Sequence, residues 1–129
     1  MNSLRISTQE QRTSFRPGEE LKGEARWTLD VKAKSAEVRL FWYTEGKGTR
    51  DLQVVDTIIF QTPKENDERS FTFNLPEAPY SFSGKLISLI WAIELVIEPG
   101  DLAQRLEIIV SPTGEEILLS DPANAASVL

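Results

Sequence analysis

The sequence predicts an all-β fold, an immunoglobulin-like antiparallel β-sandwich of about seven to eight strands. Three observations lead there. Short runs of alternating apolar and polar residues recur along the 129-residue chain, and Pro-Gly, glycine-bearing or charged turns separate them. No stretch carries the 3.6-residue period of an amphipathic helix. A chain of this length can bury a core without disulfides or metal.

The first strand is short, Leu4-Arg-Ile-Ser, and leads to Pro17-Gly18, where proline presets φ and glycine accepts a positive one. Leu21, Gly23, Ala25, Trp27 and Leu29 then share one parity, and Lys22, Glu24, Arg26, Thr28 and Asp30 share the other. That is a half-buried strand with one wet face. After a lysine-containing link, Ala36 to Thr44 sets Val38, Leu40, Trp42 and Thr44 against Glu37, Arg39, Phe41 and Tyr43.

Glu45 to Arg50 is a hairpin loop whose glycines permit positive φ. Leu52, Val54, Asp56, Ile58 and Phe60 continue in one phase to Pro63, and a charged turn follows. Phe71, Phe73 and Leu75 are again in phase. A proline-punctuated corner leads to the longest apolar run, residues 84–97.

That run is a strand by its β-branched content and its bracketing Gly84 and Pro99. Its odd positions, Ile87 to Ile97, are all apolar and are expected in the core. Its even positions, Leu86, Ser88, Ile90, Ala92, Glu94 and Val96, form a mixed face that calls for cover by the tail or by another protein. Leu106, Ile108 and Val110 close the set. Residues 1–110 are thus expected to form one sandwich domain. Residues 111–129 read as a C-terminal tail with one extra short strand at Ile117 to Leu119 and a loose end.

Three segments resemble the arrestin-like sandwich family, which includes arrestins and a retromer subunit. The first is F-R-P-G-E-E-L-K-G-E (Phe15 to Glu24), and the second is V-R-L-F-W-Y-T (Val38 to Thr44) before its G-K-G turn. The third is F-N-L-P…P-Y-S-F-S-G-K-L-I-S-L-I-W-A-I-E-L, around Leu75, Pro76, Pro79, Ser81, Gly84 and Trp91. The resemblance implies an arrestin-like sandwich that acts by binding protein. Those relatives carry two sandwiches, whereas this chain has room for one, so no two-domain cleft is implied within it. The buried polar core that arrestins use as a phosphate sensor has no recognisable counterpart.

Composition narrows the chemistry. There is no cysteine and no histidine. Thiol chemistry, Ser-His-Asp hydrolysis, His-ligated zinc and imidazole acid–base catalysis are therefore excluded within this chain. The expectation is a protein that is not an enzyme and needs no cofactor or metal. A net charge of −6 argues against nucleic acid as a partner. Residues 1–50 carry ten Lys and Arg against seven Asp and Glu, and residues 51–129 carry four against thirteen. Interleaved strands would mix these halves in space. With no apolar leader at the N-terminus and Glu94 inside the longest apolar run, no membrane insertion is expected. Cysteine absence fits a cytoplasmic location.

The candidate sites are weighed against plainer roles. Trp27, Trp42 and Trp91 lie on apolar parities and read as core. Gly46-Lys47-Gly48-Thr49 lacks the spacing and the helix of a phosphate loop. Glu65, Asp67 and Glu68 lack Ca²⁺-loop spacing, and Glu19, Glu20 and Glu24 flank a surface turn unsuited to a raised carboxyl pKa.

The residues marked for partner binding are Arg39, Phe41, Tyr43, Leu86, Ile90 and Val96. The leading expectation is a scaffold that binds a protein partner, or itself as a homodimer, through a sheet edge or the mixed face of 84–97. The alternative is a carbohydrate- or small-ligand-binding sandwich that uses exposed Phe41 and Tyr43.

Overall fold

The computed structural model describes residues 1–46, 48 and 50–119. The strands are β1 (Ser3–Thr8), β2 (Ser14–Phe15), β3 (Glu20–Thr28), β4 (Ser35–Gly46), β5 (Leu52–Ile59), β6 (Asn66–Asn74), β7 (Phe82–Gly84), β8 (Ile87–Glu98), β9 (Leu102–Val110) and β10 (Ile117–Leu119). Seven have six residues or more, and β2, β7 and β10 are short. A 3₁₀ turn at Gln9–Gln11 is the helical element among the described residues.

The small sheet runs β1-β3-β6, all antiparallel. The large sheet runs β10-β7-β8-β4-β5, and β9 joins it on the flank of β8 that also carries β7. The two sheets face each other across one core. From the small sheet come Ile6, Leu21, Ala25, Trp27, Phe71 and Phe73; Val38, Leu40, Trp91, Ile93, Leu95 and Ile97 oppose them. This is an all-β sandwich of two sheets.

Alternation explains most of this. β3 buries every second residue from Leu21 to Trp27. Gly23 is required there, because a Cβ would come 2.4 Å from the Ser7 carbonyl and 2.6 Å from Phe71. On β8 the buried set Leu89, Trp91, Ile93, Leu95 and Ile97 faces Thr44, Trp42, Leu40, Val38 and Ala36 across the β4 register. Each fully buried aliphatic of this size contributes about 1.5–3 kcal/mol of transfer free energy.

The turns also have partners. Gly18 adopts φ 79°, its N–H donates to the Leu75 carbonyl at 3.0 Å, and the Leu75 N–H donates back to Glu19 at 2.9 Å. The Pro-Gly turn is thereby pinned to the end of β6. In the corner after β6, the Pro79 carbonyl accepts the Trp91 indole N–H at 3.0 Å. Ser81 exchanges two bonds with Val110: its N–H donates at 2.7 Å, and its Oγ accepts at 2.9 Å. The corner therefore satisfies the polar edge of the largest core side chain, as buried indoles require.

Three expectations need correction. The run 84–97 is not one strand: β7 ends at Gly84, β8 begins at Ile87, and Leu86 lies between them. Ile87 is exposed rather than in the core, because it lies at the sandwich end opposite Gly46. The single phase expected from Leu52 to Phe60 is broken by a bulge. Leu40 pairs Asp56 while Phe41 pairs Val54, leaving Val55 as the extra residue. Leu52 and Val54 therefore share the outer face with Tyr43 and Phe41, whereas Asp56 and Ile58 turn to the inner side. The strand Ile117–Leu119 pairs in parallel with Phe82–Gly84. Residues 120–129, and with them the loose end, lie outside the described residues.

Candidate functional site

The outer face of the large sheet carries five of the six residues marked from sequence. Register sets them in rows: Leu52, Tyr43 and Ile90; then Val54, Phe41, Ala92 and Glu107; then Thr57, Arg39, Glu94 and Arg105; then Ile59, Glu37, Val96 and Ala103. Tyr43 and Ile90 are direct neighbours. Val96 lies six residues along the strand from Ile90, about 20 Å away at strand rise. Leu86, which is exposed, stands apart from both.

No second layer among the described residues covers this face, yet Phe41 is only 3% exposed and Ala92 is fully buried. Neither belongs to the inter-sheet core. Their cover comes from the sheet itself. Phe41 and Tyr43 stack with centroids 6.0 Å apart. The Arg105 guanidinium lies 4.9 Å from the Phe41 ring and 5.2 Å from the Tyr43 ring. Its Nε donates to Glu94 at 3.1 Å, and the Tyr43 hydroxyl donates to Glu107 at 3.1 Å. Beside them Arg39 pairs with Glu37 at 3.1 Å. The exposed aromatic pair expected from sequence is thus a covered one, because two β9 side chains reach across Ala92 to close over it.

The electrostatics agree. Burial, then the charge and hydrogen bond of Glu107, push the Tyr43 phenol above its ordinary value, against an opposing pull from Arg105. Partial burial draws the Arg105 guanidinium down, but Glu94 and Tyr43 more than offset it and leave it raised. Arg39 is raised through its bond to Glu37. These groups are matched in pairs, which suits a closed surface more than a catalytic one.

At the free margin of the same face the cover stops. Among the described residues β5 pairs with β4 alone, and its residues are exposed along almost the whole length. Leu52 is 61% exposed, Val54 41%, Val55 37% and Ile59 64%. Sequence reasoning marked none of these four. The available signal was that L-Q-V-V-D-T-I-I has apolar residues on both parities and no lysine or proline, which is how an unprotected edge reads. Arg105 was missed too; it is the only cation between Leu102 and Val110.

The remaining candidates have structural partners. Trp27 and Trp91 are core, with the Trp27 indole donating to the Lys64 carbonyl at 2.8 Å, and Trp42 is half-buried against the core. The Asp67 carboxylate is held below its usual range by Arg69 at 2.9 Å, with the Lys64 and Glu68 N–H groups adding to it. Glu19 is likewise lowered by Arg12 at 2.7 Å and the Arg16 N–H, the reverse of what an acid catalyst needs. Of the 46–49 loop, Lys47 and Thr49 lie outside the described residues. A groove of about 470 Å³, bordered by Glu45, Ser88, Ile90, Glu107 and Glu116, opens where β7 and β9 part beside β8. No helix among the described residues is long and apolar enough to cross a membrane.

No family model matches the chain, and no curated protein matches its sequence. Among solved structures it is similar to Spo0M, the sporulation control protein of Bacillus subtilis, with a TM-score of 0.64 and 18% identity over 85% of this chain and 49% of that one. The chain thus spans about half the length of that neighbour. A β-glucosidase from Listeria innocua in complex with gluconolactone gives a TM-score of 0.40 at 13% identity, covering 91% of this chain and 17% of the enzyme. That score is too low to argue from. The Spo0M likeness shows the fold.

Proposed function

We propose that this chain is a protein-interaction module, not an enzyme, and that it meets its partner along the β5 edge of the large sheet. A single observation carries the reading: β5 leaves four large apolar residues in solvent on a strand with one free side. Exposed apolar edges invite strand addition, and although the bulge at Val55 and the inward Asp56 interrupt this one, it carries no lysine or proline. The apolar row continues inward from Leu52 to Tyr43 and Ile90, so a partner strand would find a ready floor. The likeness to a sporulation control protein fits a regulatory or scaffolding role, and a cytoplasmic location suits a chain without cysteine.

A photo-crosslinking residue placed at Val54, and separately at the more exposed Leu118 at the opposite edge, tests this in native cells. The reading predicts discrete protein adducts from position 54 and none from position 118. Adducts absent from 54, or the same from both sites, would contradict it.

A further inference from the structure

The reading above leaves the chemistry of the partner open, and β5 itself narrows it. The two sides of the strand differ. Leu52, Val54 and Ile59 lie on the outer face, opposite Tyr43, Phe41 and Glu37. Gln53 and Asp56 lie on the inner side, opposite Trp42 and Leu40, and both are exposed. A strand added along β5 would therefore meet Leu52, Val54, Thr57 and Ile59 on the outer side and Gln53, Asp56 and the half-buried Ile58 on the inner side.

Asp56 is the only charge between Leu52 and Ile59. One of its oxygens accepts the Thr57 N–H at 2.8 Å, and it makes no ion pair among the described residues. Contrast the other carboxylates of this region: Glu37 and Glu94 each hold an arginine. Val55 is the extra residue of a bulge against β4, and Asp56 beside it is exposed.

A second copy is a poor match on charge. Each copy carries −6, and a symmetric antiparallel pair centred on β5 would set Asp56 of one chain beside Asp56 of the other. Like charges on neighbouring strands repel, whereas opposite charges attract.

We propose that β5 accepts an extended segment of another protein that has apolar residues at alternate positions and a lysine or arginine placed opposite Asp56. This inference rests on the edge reading of the preceding section. The partner's main chain would satisfy the free N–H and C=O groups of β5, its apolar residues would cover Leu52, Val54 and Ile59, and its cation would pair with Asp56.

The experiment uses the full chain and two synthetic nine-residue peptides with valine at alternate positions, one with lysines between them and one with glutamates. Binding is followed by fluorescence anisotropy, and sedimentation of the protein alone is run at the same concentrations. The lysine peptide is expected to bind saturably and at least about tenfold more tightly than the glutamate peptide, with an affinity that falls as salt rises. Asp56→Lys, checked for an unchanged melting temperature, should reverse the preference.

Equal binding of both peptides would overturn the charge assignment while leaving the edge intact. A dimer in sedimentation that Val54→Lys dissociates would make the occupant a second copy and overturn the proposal. Absence of lysine-peptide binding overturns it as well; a persisting cross-link from position 54 would then show that the edge reading survives without it.

Discussion

β5 and β6 are both edge strands, and they end their sheets in opposite ways. β6 buries Phe71 and Phe73 and turns Glu68, Ser70, Thr72 and Asn74 outward. Even its inward-facing ionic residues are matched, with Arg69 and Asp67 paired at 2.9 Å. β5 exposes Leu52, Val54, Val55 and Ile59 and leaves Asp56 without an ion pair among the described residues. The contrast separates two uses of apolar residues. In β6 they hold the sandwich together, and the strand's free side is polar enough to stay unpaired. In β5 they add little to the fold, since among the described residues no second sheet lies over them and their apolar surface stays in solvent.

The contrast breaks most sharply under truncation. Phe73→Ala in β6 should cost about 3–5 kcal/mol, the cavity range for a fully buried aromatic, and Trp91→Ala in the centre of the sandwich should do the same. Chemical denaturation measures both. An unchanged midpoint for either would remove that residue from the core.

Next in size is the closed part of the outer face. Arg105→Ala removes the cation over two rings and the partner of Glu94, an expected loss of about 1 kcal/mol. Arg105→Met, which keeps cover over the ring and removes the charge, should move the Tyr43 phenol further above its ordinary value, because the Arg105 cation draws it down. Ultraviolet titration of the phenolate reads this directly, and a downward movement would contradict the geometry.

Acid is expected to act through the paired carboxylates. Asp67 and Glu19 have folded-state pKa values below their unfolded ones. Their contribution is therefore present above about pH 4 and is lost as pH falls through the lowered folded values. The melting temperature should drop on acidification from pH 5, and the drop should be smaller in Arg69→Ala, where Asp67 has lost the main cause of its shift. A drop as steep as in the unaltered protein would assign the acid sensitivity elsewhere.

The smallest effect on stability belongs to β5. Ile59→Lys and Val54→Lys should each change it by no more than about 0.5 kcal/mol, as for ordinary surface positions, and Ile59→Lys should abolish the adducts formed from position 54. A large loss of stability would show that the edge is part of the fold after all.

These residues also show what the sequence could and could not disclose. Period two in Leu21 to Leu29 translated directly into burial, since one regular strand between two others keeps its phase. The same logic failed from Leu52 onward, because a bulge adds a residue without any local mark in the sequence, and one extra residue exchanges the faces. Phe41 and Tyr43 were assigned to the correct face but to the wrong exposure. Their cover comes from Arg105 and Glu107, more than sixty positions away, and cross-strand register is not written in either segment alone. Leu86, Ile90 and Val96 looked like one greasy face on paper. The ion pair of Arg105 with Glu94 and the break before Ile87 divide them in space.

The open edge can be tested amide by amide. Hydrogen exchange on the isolated protein, at a concentration where sedimentation shows a monomer, compares β5 with β8, both of which pair with β4. The account predicts that β8 amides exchange only with global unfolding, while the β5 amides pointing away from β4 exchange orders of magnitude faster. Uniform protection along β5, equal to that of β8, would mean the edge is already covered within the chain and would contradict the claim that it awaits a partner.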